Sequence, residues 1–124
     1  MQDTKAGEMR QDLLTRRWII YAPERAQRPH DMAQKPSDVG ELPEKDAQCP
    51  FCVGNEEMIP PVIFELPAAH NDGWQTRVVS NKYPMLHPEV DIDGGSRGLY
   101  PYATNHGNHE VLIETPFHNR DIPF

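Results

Sequence analysis

Apolar residues gather in four short stretches, and each reads as a strand. Trp18-Ile19-Ile20-Tyr21 is an unbroken run of aromatic and β-branched residues, a composition that suits a pleated, half-buried surface. Val62-Ile63-Phe64-Glu65-Leu66 follows a Pro-Pro pair, and Arg77-Val78-Val79-Ser80-Asn81 stops at Tyr83-Pro84. Glu110 to Thr115 is the clearest: Glu110, Leu112 and Glu114 share one face, while Val111, Ile113 and Thr115 share the other, so one side can be buried and the other meet water. No segment carries the i, i+3, i+4 stripe of an amphipathic helix, although Asp3 to Arg16 holds helix-compatible residues with a weak stripe. Arg28 to Asp46, rich in Pro, Asp, Gln and Lys, reads as a long connection, and so does His87 to His109, which contains Gly94-Gly95, Gly98 and Gly107. The pattern predicts an antiparallel sheet with long connections. It ends at Ile122-Pro123-Phe124, soon after a strong strand and without a covering helix, which reads as a truncated domain rather than a finished one.

Composition narrows this picture. The 124 residues are enough for one small domain or a piece of a larger one. Hydrophobic residues make up 37% and prolines number 13, so little apolar area is available and a metal staple suits the chain. Nineteen acidic against twelve basic residues give a net charge of −7. That balance speaks against nonspecific nucleic-acid or anionic-membrane binding but leaves room for one phosphate at a local basic cluster. No run approaches the roughly 20 apolar residues of a membrane span, and the charged stretch from Met1 to Arg17 lacks the apolar core of a signal peptide. The expected location is cytoplasmic, where a close cysteine pair is more often a metal or redox site than a structural disulfide.

Three groups of residues carry chemistry. Cys49-Pro50-Phe51-Cys52 places two thiols at i and i+3, a spacing that grips one metal ion when the chain turns between them; a redox pair or two unrelated thiols share the same spelling. The turn at Val53-Gly54-Asn55 is expected to let backbone amides approach the sulfurs. His118, three residues past the strong strand, is held firmly yet open to a partner, although a histidine in a loop is more often simply solvated. The other histidines are His30, His70, His87, His106 and His109. Arg25-Ala26-Gln27-Arg28-Pro29 offers two guanidiniums able to approach one diphosphate, with Pro29 stiffening the exit; a bare pair of this kind is more often surface charge. Asn81-Lys82-Tyr83-Pro84 offers an amide suited to a base edge and a ring for stacking, or simply a turn after a strand.

These groups occur in a recognisable order. From Arg10-Gln11-Asp12-Leu13-Leu14-Thr15-Arg16-Arg17-Trp18-Ile19-Ile20, through Pro23 to Pro29, Cys49 to Asn55 and Arg77 to Pro84, to His109-Glu110-Val111-Leu112-Ile113-Glu114-Thr115-Pro116-Phe117-His118, the chain resembles the galactose-1-phosphate uridylyltransferase family of the histidine-triad-like superfamily. The resemblance covers nearly all of the chain beyond the first nine residues. It implies an α+β fold: a histidine-triad-like antiparallel sheet of half-barrel type, here lacking its covering helix and final strands, with residues 1–124 as a partial N-terminal domain. It makes Cys49, Cys52 and His118 three zinc ligands, with iron as a substitute metal. Arg25 and Arg28 become the diphosphate arginines, often acting across a homodimer interface, and Asn81 the residue that contacts uracil. Lys82 stands where some members have an acidic residue. The implied partners are a UDP-sugar and a hexose 1-phosphate.

In the family, a histidine of a His-Pro-His motif attacks the α-phosphorus and forms a uridylyl-histidine, so one nucleophile serves both half-reactions. This chain has no His-Pro-His; His87-Pro88-Glu89 comes close in spelling but precedes the last strand. The fourth zinc ligand, also a histidine, belongs to the same absent region. The reading is therefore an N-terminal fragment of a UDP-glucose:hexose-1-phosphate uridylyltransferase, inactive alone. The alternatives are a related nucleotidyl transferase such as an ADP-hexose phosphorylase, or a non-catalytic zinc- or nucleotide-binding module.

Overall fold

The structure is a computed structural model that describes residues 7–28 and 41–120. The chain divides into two compact units, one formed by Met1–Pro29 with Tyr83–His109 and the other by His30–Lys82 with Glu110–Phe124.

The first unit is built on a four-stranded antiparallel sheet. Its strands are β1 (Glu8–Gln11), β2 (Trp18–Tyr21), β5 (Gly94–Arg97) and β6 (Tyr100–Thr104), in the order β2-β1-β6-β5. Asp12 starts the β1–β2 turn, its carboxylate accepting from the Leu14 and Thr15 amides and the Thr15 hydroxyl at 2.9, 2.7 and 3.0 Å. Arg16 completes the turn in the left-handed region, at φ 59°. The helix-compatible residues near the N-terminus thus form a strand where they are described, because pairing with β2 and β6 outweighs a weak local preference. Residues 3–6 of that stretch lie outside the described residues.

The segment from His87 to His109, expected as a loop, contains the β5–β6 hairpin. Gly98 turns it at φ 66°, a conformation open to glycine. Both strands disguise themselves: β5 is Gly-Gly-Ser-Arg with no apolar residue, and β6 has Pro101 within it. Pro101 is tolerated because the β1 register reaches only Tyr102, leaving it opposite Ser96 of β5.

The second unit carries β3 (Val62–Pro67), β4 (Trp74–Ser80) and β7 (Glu110–Ile113), with β4 in the centre of an antiparallel sheet. These strands stand where the hydrophobic pattern put them, with β4 beginning three residues earlier and β7 ending two earlier than expected. The alternation on β7 holds: Ile113 is buried and Val111 partly so, while Leu112 is exposed. Trp74, Val79 and Ile113 form the core, flanked by Ile59 and Val111. Arg77 is buried beside them, an inward charge that the strand pattern did not single out.

Among the described residues there is no α-helix, only two 3-10 turns, Pro23–Gln27 and Glu56–Met58. The described architecture is antiparallel sheet, so the helical half of the α+β expectation has no counterpart in it. No helix among the described residues is long and apolar enough to cross a membrane.

Candidate metal centre

The cysteine pair sits in the second unit on a chain of tight turns. The amide of Cys49 donates to Asp46 O, that of Cys52 to Cys49 O and that of Asn55 to Cys52 O, at 3.3, 3.2 and 3.1 Å. Each link spans three residues, which curls the backbone and brings the two sulfurs within 4.8 Å of each other. The Asn55 side chain closes the knuckle from within: its Nδ2 lies 3.0 Å from Asp46 O, 3.3 Å from Ala47 O and 2.7 Å from Cys49 O. The Asp46 amide approaches Cys52 Sγ at 3.4 Å. Backbone amides thus reach both sulfurs, from Phe51 and Cys52 within the knuckle to Cys49 and from Asp46 of the preceding loop to Cys52, and Asn55 contributes through its side chain. An asparagine three residues past a CxxC pair is the signal for this clamp, since its short side chain carries two donors that can serve several nearby carbonyls.

His118 arrives from the far side of the chain. Its amide donates to Glu44 O at 2.9 Å, and its Nδ1 stands 3.6 Å from Cys52 Sγ. The ligand atoms of Cys49, Cys52 and His118 all lie within 4.8 Å of one another. Two such ligands on a tetrahedral zinc, at about 2.3 Å for sulfur and 2.0 Å for nitrogen, would stand about 3.5 Å apart. The separation and the soft S,S,N donor set both fit the ion. Cys52 is buried, while Cys49 and His118 are half-buried. Burial pushes the Cys49 thiol up, and the neighbouring Cys52 sulfur adds to the shift, against the opposing Phe51 amide. Without a cation Cys49 therefore favours its thiol; a divalent ion would reverse that preference.

The other expected residues are placed separately. In the first unit, Arg25 lies in the Pro23–Gln27 turn, half-buried, with its Nε enclosed and without a hydrogen-bond partner among the described residues. Arg28 is exposed at the end of that turn, its amide donating to Arg25 O at 3.0 Å; Pro29 lies outside the described residues. Glu24 of the same turn approaches His87 Nε2 at 3.3 Å, while Glu89 approaches Nδ1 of that ring at 3.2 Å. The His87-Pro88-Glu89 near-match thus serves as a tie within the first unit. In the second unit, Asn81 and Lys82 follow β4, Asn81 half-buried and Lys82 exposed.

With this geometry in view, the family can be assigned. The family model for the galactose-1-phosphate uridyl transferase N-terminal domain matches residues 1–123. The chain belongs to this family. It is 36% identical over 123 residues to an ADP-glucose phosphorylase of Arabidopsis thaliana, covering 94% of this chain and 33% of that protein. It is 29% identical over 111 residues to a probable galactose-1-phosphate uridylyltransferase of Drosophila melanogaster, covering 89% and 30%. The chain thus spans about a third of the length of these curated relatives. Two solved structures from Arabidopsis thaliana are also similar. A galt-like protein shares 33% identity at a TM-score of 0.45, over 63% of this chain and 23% of that one. An ADP-glucose phosphorylase with bound ADP-glucose shares 30% at a TM-score of 0.42, over 93% and 31%.

Proposed function

We propose that this chain is the N-terminal, zinc-bearing part of an enzyme that moves a nucleotidyl group from a nucleoside-diphosphate hexose to a phosphate acceptor. The observation that carries this is the cluster of Cys49, Cys52 and His118 in a member of this family. Zinc held there would be structural. It would tie the loop before β3 to the end of the segment that follows β7, and would supply no chemistry to the transfer itself. Arg25 and Arg28 would meet the diphosphate, as planar donors suited to it. Asn81 would read the base edge and Lys82 would add positive charge beside it. The attacking histidine would come from outside this stretch, so the chain alone would bind metal without turning over. A cytoplasmic location and a homodimer complete the reading.

Two versions of the activity follow: uridylyl exchange between UDP-glucose and galactose 1-phosphate, and phosphorolysis of an ADP-hexose. The 36% identity to an ADP-glucose phosphorylase, against 29% to a probable uridylyltransferase, favours the second. Its stoichiometry is simple: orthophosphate takes the adenylyl group as ADP and the hexose leaves as its 1-phosphate.

The test has two arms. The purified 124-residue chain should retain zinc and release no glucose 1-phosphate from either sugar nucleotide. Joined to whatever coding sequence follows Phe124 in its gene, it should release glucose 1-phosphate from ADP-glucose in a phosphate-dependent way. Sustained turnover of UDP-glucose, beyond one equivalent, only when galactose 1-phosphate is present would replace phosphorolysis by uridylyl exchange. Less than about a tenth of an equivalent of zinc in protein purified without chelator would overturn the metal reading, because paired thiolates hold the ion tightly.

A further inference from the structure

Arg77 is the buried charge of the second unit, with its side chain 8% exposed. It stands on the central strand β4, directly opposite Glu65 of β3. Its Nε donates to Glu65 Oε2 at 2.8 Å, and its guanidinium lies over the Trp74 ring, 4.4 Å from the centroid. A third contact leaves the sheet: Nη1 reaches Glu56 Oε1 at 3.4 Å. The other oxygen of Glu56 accepts the Gly54 amide at 2.8 Å. Gly54 lies two residues beyond Cys52 and holds φ at 93°, in the left-handed region. One carboxylate thus joins the core of the sheet to the loop that leaves the cysteine knuckle.

A guanidinium inside so small a core is costly for stability alone. Its burial must be offset by carboxylates and a π face where an apolar side chain would need neither. What the charge adds is direction. Arg77 reaches the Glu56 carboxylate and Glu56 accepts the Gly54 amide, so the chain just after Cys52 is tied to the sheet. We propose that Arg77 and Glu56 are positioning residues for the metal centre, a brace that holds the Cys49–Cys52 knuckle ready to bind. The proposal rests on the metal reading above. Neither residue is expected to touch the ion; outer partners of this kind typically change metal affinity about 10- to 100-fold when removed.

The experiment uses the whole chain and two readouts. Zinc affinity is measured by competition with a chromophoric chelator, and cobalt substitution reports thiolate ligation through its charge-transfer band. Wild type should bind with that band, and Cys49→Ala should lose it. Glu56→Ala should weaken zinc about 10- to 100-fold while far-UV circular dichroism stays unchanged, since Glu56 is 43% exposed. Glu56→Gln has one acceptor oxygen where the brace uses two, so it can keep the Gly54 amide or Arg77 but not both and should recover only a minor part of the affinity. Arg77→Met should resemble Glu56→Ala, and the double variant should be no weaker than the weaker single one, as expected of one coupled unit. If Arg77→Met does not fold, the two Glu56 variants still decide. Glu56→Ala within twofold of wild type, with the band intact and lost only in Cys49→Ala, would overturn the brace and leave the metal centre standing. Wild type that binds no cobalt would overturn both.

Discussion

Replacing Asn55 by alanine isolates the clamp inside the cysteine knuckle. Its Nδ2 carries two hydrogens and faces three carbonyls, at 2.7, 3.0 and 3.3 Å. Two full hydrogen bonds form, and the longest contact shares one of them. The net worth of one such bond is roughly 0.5–1.5 kcal/mol, so truncation should cost about 2 kcal/mol in the closed knuckle. Asp46 O and Cys49 O still accept the Cys49 and Cys52 amides, which keeps the loss from growing to that of fully buried orphans. At about 1.4 kcal/mol per factor of ten, the closed arrangement becomes about 30-fold rarer. Affinity for a metal that requires the closed form falls with its population once that form is in the minority, by up to the same factor. Asn55→Asp should be worse, because it turns an acceptor oxygen toward three acceptors. The assay is zinc competition with a chromophoric chelator on protein whose circular dichroism matches wild type. A folded Asn55→Ala that binds within twofold of wild type, or an aspartate that binds better than alanine, would refute the argument that this amide preforms the site.

Other outcomes follow from the two sheets. Val79, 1% exposed in the core of the second unit, should cost about 2–3 kcal/mol on truncation to alanine, read as a lower urea midpoint with an unchanged slope. An added methyl at Gly7 would stand 2.6 Å from Asn105 Nδ2 and 2.7 Å from the Tyr21 carbonyl oxygen. The side chain can yield but the backbone of β2 cannot without breaking register, so Gly7→Ala should destabilise the first unit by about 1–3 kcal/mol, seen as faster amide exchange along β1 and β2. Glu8 is partly buried, which raises its pKa, but the flanking Arg10 and Arg97 outweigh this and hold it below the ordinary glutamate value. A depressed folded value means that the stabilisation is fully present above the unfolded pKa of about 4.3 and is lost as pH falls through the folded one. Glu8→Gln should therefore lower stability at neutral pH and flatten the loss below about pH 4; an acid profile parallel to that of wild type would contradict this.

How much of this was legible without coordinates varies by feature, for physical reasons. Three of the four expected strands, β2, β3 and β7, and most of β4, were visible because apolar and β-branched runs bounded by proline and glycine leave few alternatives. The β5–β6 hairpin was hidden, because its strands are defined by pairing with β1 and with each other. Neither the glycine pair nor Pro101 favours an extended ladder locally. β1 was hidden for a similar reason, its charged residues being compatible with a helix until β2 and β6 flank it.

The site divides along the same line. Spacing alone made Cys49 and Cys52 a pair, since a tight turn between i and i+3 is a local event, and order among neighbouring motifs made His118 a candidate ligand. Only the tertiary structure brings His118 Nδ1 to 3.6 Å from Cys52 Sγ across 66 residues of sequence. Only the tertiary structure turns Arg77 inward to Glu56, 21 residues away. Local chemistry is written in neighbouring residues, whereas a ligand or a brace from a distant strand depends on sheet register, which the pairing of whole strands decides.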